Sequence, residues 1–214
     1  MRIRRLFFWA FLLGLLLCVT GLGSDPKKVR HVYDGDTICL ENGWKVRYIG
    51  VDTPEIDPET HEGEYLAHKA RAFNKDLLEG GSIRLERDII GKDRYGRALA
   101  YIFLKDGRMM NALMVEKGLA HVMTHPPNTK YRARLLNCQR RAMQRGVGIW
   151  RRLPKNQGTH YTGNQNSYRF HTNNCRFGKQ ISKSNRVEFN SLHEAFWAGY
   201  SPCNVCRPAA DLKE

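Results

Sequence analysis

Charged residues in three short blocks of this chain have the types and spacing that phosphodiester chemistry requires. The blocks are Asp34-Gly35-Asp36-Thr37, the segment from Arg47 to Glu55, and the segment from Asp93 to Arg97. Carboxylates are the ligands that an oxygen-binding divalent ion prefers, and a planar guanidinium fork matches the oxygens of a phosphate. The blocks therefore predict a site that holds a metal ion beside a phosphodiester.

Five side chains carry this prediction: the acids Asp36, Asp52 and Glu55 and the arginines Arg47 and Arg97. Each block alone has a simpler interpretation, as an Asp-Gly turn, as a solvated ion pair on a rim, or as an ordinary hairpin loop. Their occurrence together, in this order and with the spacing of one domain, favours the site over the three separate interpretations.

With these blocks the stretch from about residue 29 to residue 153 resembles the staphylococcal nuclease (thermonuclease) family. The resemblance implies a calcium-dependent nuclease that hydrolyses DNA and RNA by water attack and leaves 3′-phosphate ends. The residue roles that it implies are calcium binding by Asp36, Asp52 and the carbonyl of Thr53, water activation by Glu55, phosphate binding by Arg47 and Arg97, and nucleotide binding by Tyr95.

The residue types agree with these implied roles. Calcium takes six to eight oxygens, so two carboxylates and one carbonyl leave room for waters and a substrate phosphate. Arginine keeps its proton, so the two arginines would stabilise charge and position the phosphate. A carboxylate is a weak base, which leaves open whether Glu55 accepts a proton or only orients the water. The family's second base-stacking tyrosine has no clear counterpart here, where Met123, Thr124 and His125 occupy that region.

The charge of the chain also indicates a polyanionic partner. Its 214 residues fit one ordinary domain and a small one, and they carry a formal net charge of +14 with a pI near 9.7. Nucleic acid fits that charge as a partner, and no protein partner is implied. A non-catalytic nucleic-acid-binding or DNA-capture module is the alternative. It would not need three acids, which repel phosphate unless a cation intervenes.

Residues 1–23 have the layout of a secretory signal peptide. A basic start to Arg5 is followed by an apolar stretch from Leu6 to Val19, and the small residues Gly21 and Gly23 come just before Ser24. The chain is therefore expected to be secreted, periplasmic or held at the cell surface. An uncleaved membrane anchor is the alternative, and only then is the membrane a partner. Cys18 follows Leu17 and so fits a lipoprotein signal poorly.

Residues 24–153 are expected to form a mainly β domain with appended helices (α+β), a five-stranded OB-fold barrel. Short alternating or apolar runs bounded by turn residues predict the strands, and apolar residues at three- and four-residue spacing predict the helices. The predicted strands are Val29–Tyr33, Thr37–Leu40, Lys45–Val51, Ser82–Arg87 and Ala98–Leu104, and the predicted helices are Glu64–Leu78, Met110–Lys117 and Thr129–Gln144.

The strand that carries Arg47 and Asp52 must bend for the two side chains to share a ligand. Five residues apart in an extended strand, they would lie on opposite faces and about 16 Å from each other. Gly50 is the natural place for the bend, and a β-bulge between Tyr48 and Thr53 is therefore predicted.

The C-terminal part of the chain has the ligand spacing of a zinc site. Residues 154–167 are polar and predict a linker, and residues 168–210 predict a small metal-binding domain. A segment this short needs a bound metal ion or disulfide bonds to fold stably. The four ligands would be His171, Cys175, Cys203 and Cys206. Disulfides are the alternative, among these cysteines or with Cys39 or Cys138.

The segment from Arg169 to Pro208 resembles the zinc-binding domain of the Ada methyl-phosphotriester repair protein. The residues that carry the resemblance are Asn185-Arg186, Phe189, Glu194-Ala195 and Gly199-Tyr200-x-Pro-Cys. In that domain the first ligand is a cysteine, and a zinc-bound thiolate takes up a methyl group. His171 stands first here, so zinc is expected as a structural staple without the repair activity.

Overall fold

Short strands dominate the part of the chain that the computed structural model describes, which comprises residues 26–78, 81–154 and 160–209. The predicted signal peptide, residues 1–23, lies outside these ranges. Within them no helix has both the length and the apolar character that crossing a bilayer requires. The strands are β1 (Lys27–Val32), β2 (Thr37–Leu40), β3 (Lys45–Tyr48), β4 (Val51–Asp52), β5 (Ser82–Glu86), β6 (Ala98–Phe103), β7 (His121–Val122), β8 (Tyr161–Asn164), β9 (Arg169–Thr172), β10 (Arg186–Phe189) and β11 (Ser201–Pro202).

Five strands close into a barrel in the order β1-β2-β3-β6-β5, which confirms the predicted OB-fold barrel. The β3–β6 pair is parallel and the other pairs are antiparallel. Apolar side chains that include Ile38, Val46, Ala100 and Ile102 fill the barrel and are almost completely buried.

Three helices cover the barrel, and two of them begin later than their periodicity predicts. These three are α1 (Ala67–Leu78), α2 (Met110–Glu116) and α3 (Arg132–Arg145); two short helices, α4 (Arg176–Lys179) and α5 (Leu192–Trp197), follow in the C-terminal part of the chain. Helix α1 cannot include Leu66, which has a φ of 68°. Ahead of α3 the Asn128 side chain does not cap the helix, because it bonds the backbone N–H and carbonyl of Ile90.

The predicted strand Lys45–Val51 is interrupted, which corrects that prediction and replaces the predicted bulge by a full break. Strand β3 ends at Tyr48, Gly50 adopts a φ of 80°, and the chain resumes as β4, which pairs with β7 instead of continuing along the barrel. The Asn111 amide donates to the carbonyl of Ile49 over 2.8 Å, so the backbone at the break stays satisfied.

Residues 160–209, here called the C-terminal lobe, form a second sheet in the order β10-β8-β9-β11. Strand β8 lies within the segment 154–167 that composition predicts as a linker. The difference arises because Tyr161 is a single apolar anchor in a polar stretch, and it is buried against Phe170 with ring centroids 5.7 Å apart.

The C-terminal lobe packs directly against the barrel lobe, residues 26–154. Trp150 and Phe196 meet edge to face with ring centroids 5.2 Å apart, in one apolar cluster with Met143 of α3. The completely buried Gln139 side chain joins the lobes, because its Nε2 donates to the carbonyl of Phe196 over 2.5 Å and its Oε1 accepts from the N–H of Val122 over 2.6 Å.

Candidate active site

Asp36 lies directly before β2 and has no solvent exposure. Its Oδ2 accepts the backbone N–H of Thr53 over 2.9 Å. Gly35 allows this approach, because a Cβ at that position would lie 2.6 Å from Cγ2 of Thr53. The Asp34 carboxylate accepts the N–H of Asp36 over 2.8 Å, and burial raises the pKa of Asp34 against the opposing charge of Arg47. The segment Asp34-Gly35-Asp36-Thr37 thus contributes two carboxylates, the fully buried one of Asp36 and the partly buried one of Asp34.

Arg47 binds both of the acids predicted as metal ligands. Its Nη1 pairs with Oδ1 of Asp36, and its Nη2 lies 2.5 Å from Oδ1 of Asp52. The break at Gly50 makes this possible, because it turns Asp52 back towards the face of β3 that carries Arg47. The two carboxylates therefore converge on one cationic group.

His121 is a neighbour of the site that sequence reasoning missed. It lies opposite Asp52 in the β4–β7 pair, with its Nε2 3.7 Å from Oδ2 of Asp52, and its side chain is almost completely buried. The strand β7 is too short for an alternating pattern to identify, so the sequence alone does not place His121 beside Asp52, a predicted metal ligand.

Arg97 and Tyr95 come from one tight loop that Asp93 organises. The Asp93 carboxylate accepts the backbone N–H groups of Tyr95 and Arg97, each over 2.9 Å, and Nε of Arg97 over 2.7 Å. Partial burial acts to raise the pKa of Asp93, but the hydrogen bonds and charge of Arg97 outweigh it and lower that pKa. Tyr95 is 68% exposed, and its ring centre lies 5.5 Å from the Arg97 guanidinium carbon.

Glu55 lies on the loop after β4, where Pro54 is buried and the Glu55 side chain is exposed. Its backbone is fixed by Glu64, whose Oε2 accepts the N–H of Glu55 and whose own N–H donates to the carbonyl of Glu55, each over 2.9 Å. The loop therefore holds Glu55 at the edge of the site.

A cleft of about 620 Å³ brings most of the predicted residues together. Asp36 and Thr53 lie beneath this surface, buried behind Arg47 and Asp52. The sequence-predicted residues that line the cleft are Arg47, Asp52, Glu55, Tyr95 and Arg97.

The donor set fits a calcium ion. Asp36 and Asp52 supply hard carboxylate oxygens that already converge on a positive group. Beside them Thr53 Oγ1 is buried and has no hydrogen-bond partner within the described ranges. Asp36, Asp52 and the Thr53 backbone would hold the ion, in competition with the Arg47 guanidinium.

The C-terminal lobe contains a second set of metal-ligating side chains. The ligand atoms of the predicted set His171, Cys175, Cys203 and Cys206 all lie within 4.8 Å of one another. Nδ1 of His171 lies 3.3 Å from Sγ of Cys175. Tetrahedral zinc has bonds of about 2.0 to 2.3 Å, which a small contraction of this set would supply. The five cysteines in the described ranges are free of disulfide bonds.

Two residues of the C-terminal lobe, Arg169 and Asn204, also line the cleft. Neither is among the site residues that the sequence predicts. Arg169 donates from Nη1 to the carbonyl of Pro202 over 3.2 Å, and its Nη2 lies 2.8 Å from Nε2 of His125. Burial and then the Arg169 charge lower the pKa of His125, which favours the neutral ring that can accept this hydrogen bond. No motif spacing links residues 44 positions apart, so only the packing of the lobes identifies the contact.

The barrel and its cleft of paired acids and arginines define a protein of the staphylococcal nuclease class. The family model described as "Staphylococcal nuclease homologue" matches residues 45–152, and the chain belongs to that family.

Similar proteins include nucleases named as such. The chain is 41% identical over 137 residues to a thermonuclease of Staphylococcus intermedius, covering 62% of this chain and 80% of that one. It is 41% identical over 136 residues to a thermonuclease of Staphylococcus hyicus, covering 62% and 79%. It is 37% identical over 122 residues to endonuclease YncB of Bacillus subtilis (strain 168), covering 55% and 57%.

Proposed function

We propose that the protein is a calcium-dependent nuclease that hydrolyses the phosphodiester bonds of DNA and RNA and leaves 3′-phosphate ends. The observation that carries the proposal is the cleft that gathers Arg47, Asp52, Glu55 and Arg97 above the buried Asp36. The thermonuclease and endonuclease names of the relatives support nucleic acid as the substrate.

Each cleft residue has a role that suits its position. Arg47 and Arg97 would bind the phosphate oxygens and stabilise the charge that develops in the transition state. Glu55, exposed at the edge of the cleft, would orient the attacking water or accept its proton. The water oxygen would form a bond to phosphorus and lose a proton, while the bond from phosphorus to the 5′ oxygen breaks and that oxygen takes up a proton from solvent, so the phosphate stays on the 3′ side. Calcium, when bound, would supply positive charge beside that phosphate.

The acids favour hydrolysis over simple binding. A module that only binds nucleic acid would gain nothing from burying Asp36 and placing Asp52 and Glu55 beside the phosphate site. We also propose export, because residues 1–23 have the layout of a secretory signal. An exported protein would meet plentiful calcium, which could fill a site with few carboxylates.

The C-terminal cluster is proposed to bind zinc as a structural ion. Its three thiols and one imidazole are the ligands that zinc prefers, and they come from separate parts of the lobe that the ion would join. Metal analysis of protein purified without reductant should find about one zinc per chain, whereas disulfides would give a metal-free protein.

The nuclease proposal is tested by incubating the purified protein with plasmid DNA and total RNA, with calcium or with a chelator. Both substrates should be digested only with calcium, and end-labelling should find 3′-phosphates. Digestion that a chelator leaves unchanged would contradict the calcium assignment.

The same assay tests Glu55. Glu55→Gln should lower the turnover number at least about 100-fold, the usual contribution of a residue that orients or deprotonates the nucleophile. Glu59→Gln is the matched control, because Glu59 is an exposed acid of the same loop outside the cleft. Full activity of Glu55→Gln would remove this residue from the mechanism.

A further inference from the structure

The C-terminal lobe forms part of the wall of the cleft. On the barrel side Met123, His125 and Pro126 line the cleft. Arg169 reaches this segment through His125, and Asn204 lines the cleft nearby. Both residues lie outside the part of the chain that the family model matches.

Arg169 is held by its neighbours in a way that leaves it able to bind a ligand. Its contacts to the carbonyl of Pro202 and to Nε2 of His125 engage two of the five N–H donors of a guanidinium. Its side chain shares the cleft with Arg47 and Arg97. With Arg94, four arginines line the cleft, and they suit a strand with successive phosphates better than a single phosphate.

The predicted zinc ligands lie next to both of these cleft residues, Arg169 in β9 and Asn204 in the turn after β11. Arg169 lies two positions before His171 in β9, so both side chains lie on the same face of that strand. Asn204 directly follows Cys203, whose N–H donates to the carbonyl of Phe170 over 2.9 Å. An ion that joins His171 to Cys203 would therefore fix Arg169 and Asn204 relative to each other.

We propose that Arg169 is a third phosphate-binding arginine of the cleft, supplied by the C-terminal lobe and positioned by the His171, Cys175, Cys203 and Cys206 cluster. Its ligand is a phosphodiester of the bound strand next to the one that is cleaved. This inference rests on the proposed function, because it takes the occupant of the cleft to be nucleic acid. Arg169 would raise affinity for the strand while contributing little to the chemical step.

The test compares Arg169→Gln with Arg176→Gln, which removes the same charge from an exposed position of the same lobe outside the cleft. Binding of a labelled single-stranded oligonucleotide is measured with calcium in a Glu55→Gln background, and kinetics are measured with Glu55 intact. Arg169→Gln should weaken binding and raise KM at least about fivefold, change kcat less than about twofold, and reduce the salt slope of binding by about one. Arg176→Gln should stay within about twofold of the parent.

Two further variants make the result decisive. Arg169→Lys should recover part of the affinity, because it keeps the charge but loses the fork. Cys206→Ser should weaken binding when Arg169 is present and have no further effect in Arg169→Gln. Equal binding by Arg169→Gln and Arg176→Gln would overturn the phosphate contact. Equal weakening by Cys206→Ser in both backgrounds would overturn positioning by the cluster.

The readouts separate this inference from the proposed function. If the parent cleaves neither DNA nor RNA, the nuclease proposal fails, and the binding comparison still decides the role of Arg169. If the parent cleaves both and Arg169→Gln keeps its KM and affinity, only the present inference fails. Circular dichroism of each variant verifies that the lobe remains folded.

Discussion

At the scale of single residues, Arg47 is proposed to bind the substrate phosphate, but its guanidinium already pairs with two carboxylates. It is nearly buried and neutralises Asp36 and Asp52, the same carboxylates that are proposed to bind calcium. Arg47→Gln should therefore lose activity and also lose about 3 kcal/mol of stability without calcium, because a buried carboxylate would remain without its partner. Calcium should bind this variant about tenfold more tightly or better, because the competing positive charge is gone.

Calorimetric titration with calcium and urea unfolding with and without calcium measure both effects. Arg108→Gln is a suitable control, because Arg108 is exposed and its Nε pairs with the carboxylate of the exposed Asp106. Calcium should stabilise the Arg47 variant more than the control, by an amount that increases with the logarithm of its affinity. Weaker calcium binding by Arg47→Gln than by the control would contradict the placement of the ion at Asp36 and Asp52.

At the scale of elements, the break between β3 and β4 builds the site. Gly50 has a φ of 80°, and a Cβ there would lie 2.7 Å from Cδ1 of Leu135. Gly50→Ala should lower the free energy of unfolding by about 2 to 4 kcal/mol, from backbone strain together with overpacking. It should also lower kcat more than tenfold, because the 2.5 Å contact between Arg47 and Asp52 depends on this turn.

Gly43→Ala provides a matched control for that variant. Gly43 has a φ of 85°, but an added Cβ would have no heavy atom within 4 Å, and the residue lies in the β2–β3 turn away from the cleft. It should lose only about 1 kcal/mol in urea unfolding and keep its kcat. If the two variants had the same kcat, the break would not be what aligns the catalytic residues.

At the scale of the whole molecule, the sequence predicts the barrel well because each of its strands contains its own pattern. The alternation in Ser82–Glu86 and the apolar run in Ala98–Phe103 are local signals, and the residue types of the Asp36 and Arg97 blocks indicate their chemistry directly. The complete break after Tyr48 is different, because it depends on pairing with β7 and on the distant Asn111 side chain.

The relation between the lobes could not be predicted for a similar reason. The segment around Tyr161 is polar enough to indicate a linker, and it becomes a strand only because Phe170 and β10 offer it a partner. Arg169 and His125 are far apart in the chain, and their contact exists only because α3 and α5 pack together. The part of the cleft wall that the C-terminal lobe supplies therefore depends on tertiary packing, which no local sequence pattern indicates.

Gln139 makes that packing testable. Gln139→Leu keeps the size of the side chain but leaves the N–H of Val122 and the carbonyl of Phe196 buried without this partner, which should cost about 2 to 4 kcal/mol. The cost falls on the contact between the lobes. In urea unfolding, circular dichroism and tryptophan fluorescence should follow one common transition for the parent. For Gln139→Leu the two signals should give separate transitions, because the lobes unfold separately. Gln144→Leu, at an exposed position of the same helix, should shift stability by less than about 0.5 kcal/mol. A single unchanged transition for Gln139→Leu would mean that the two lobes are held together by their apolar contacts alone.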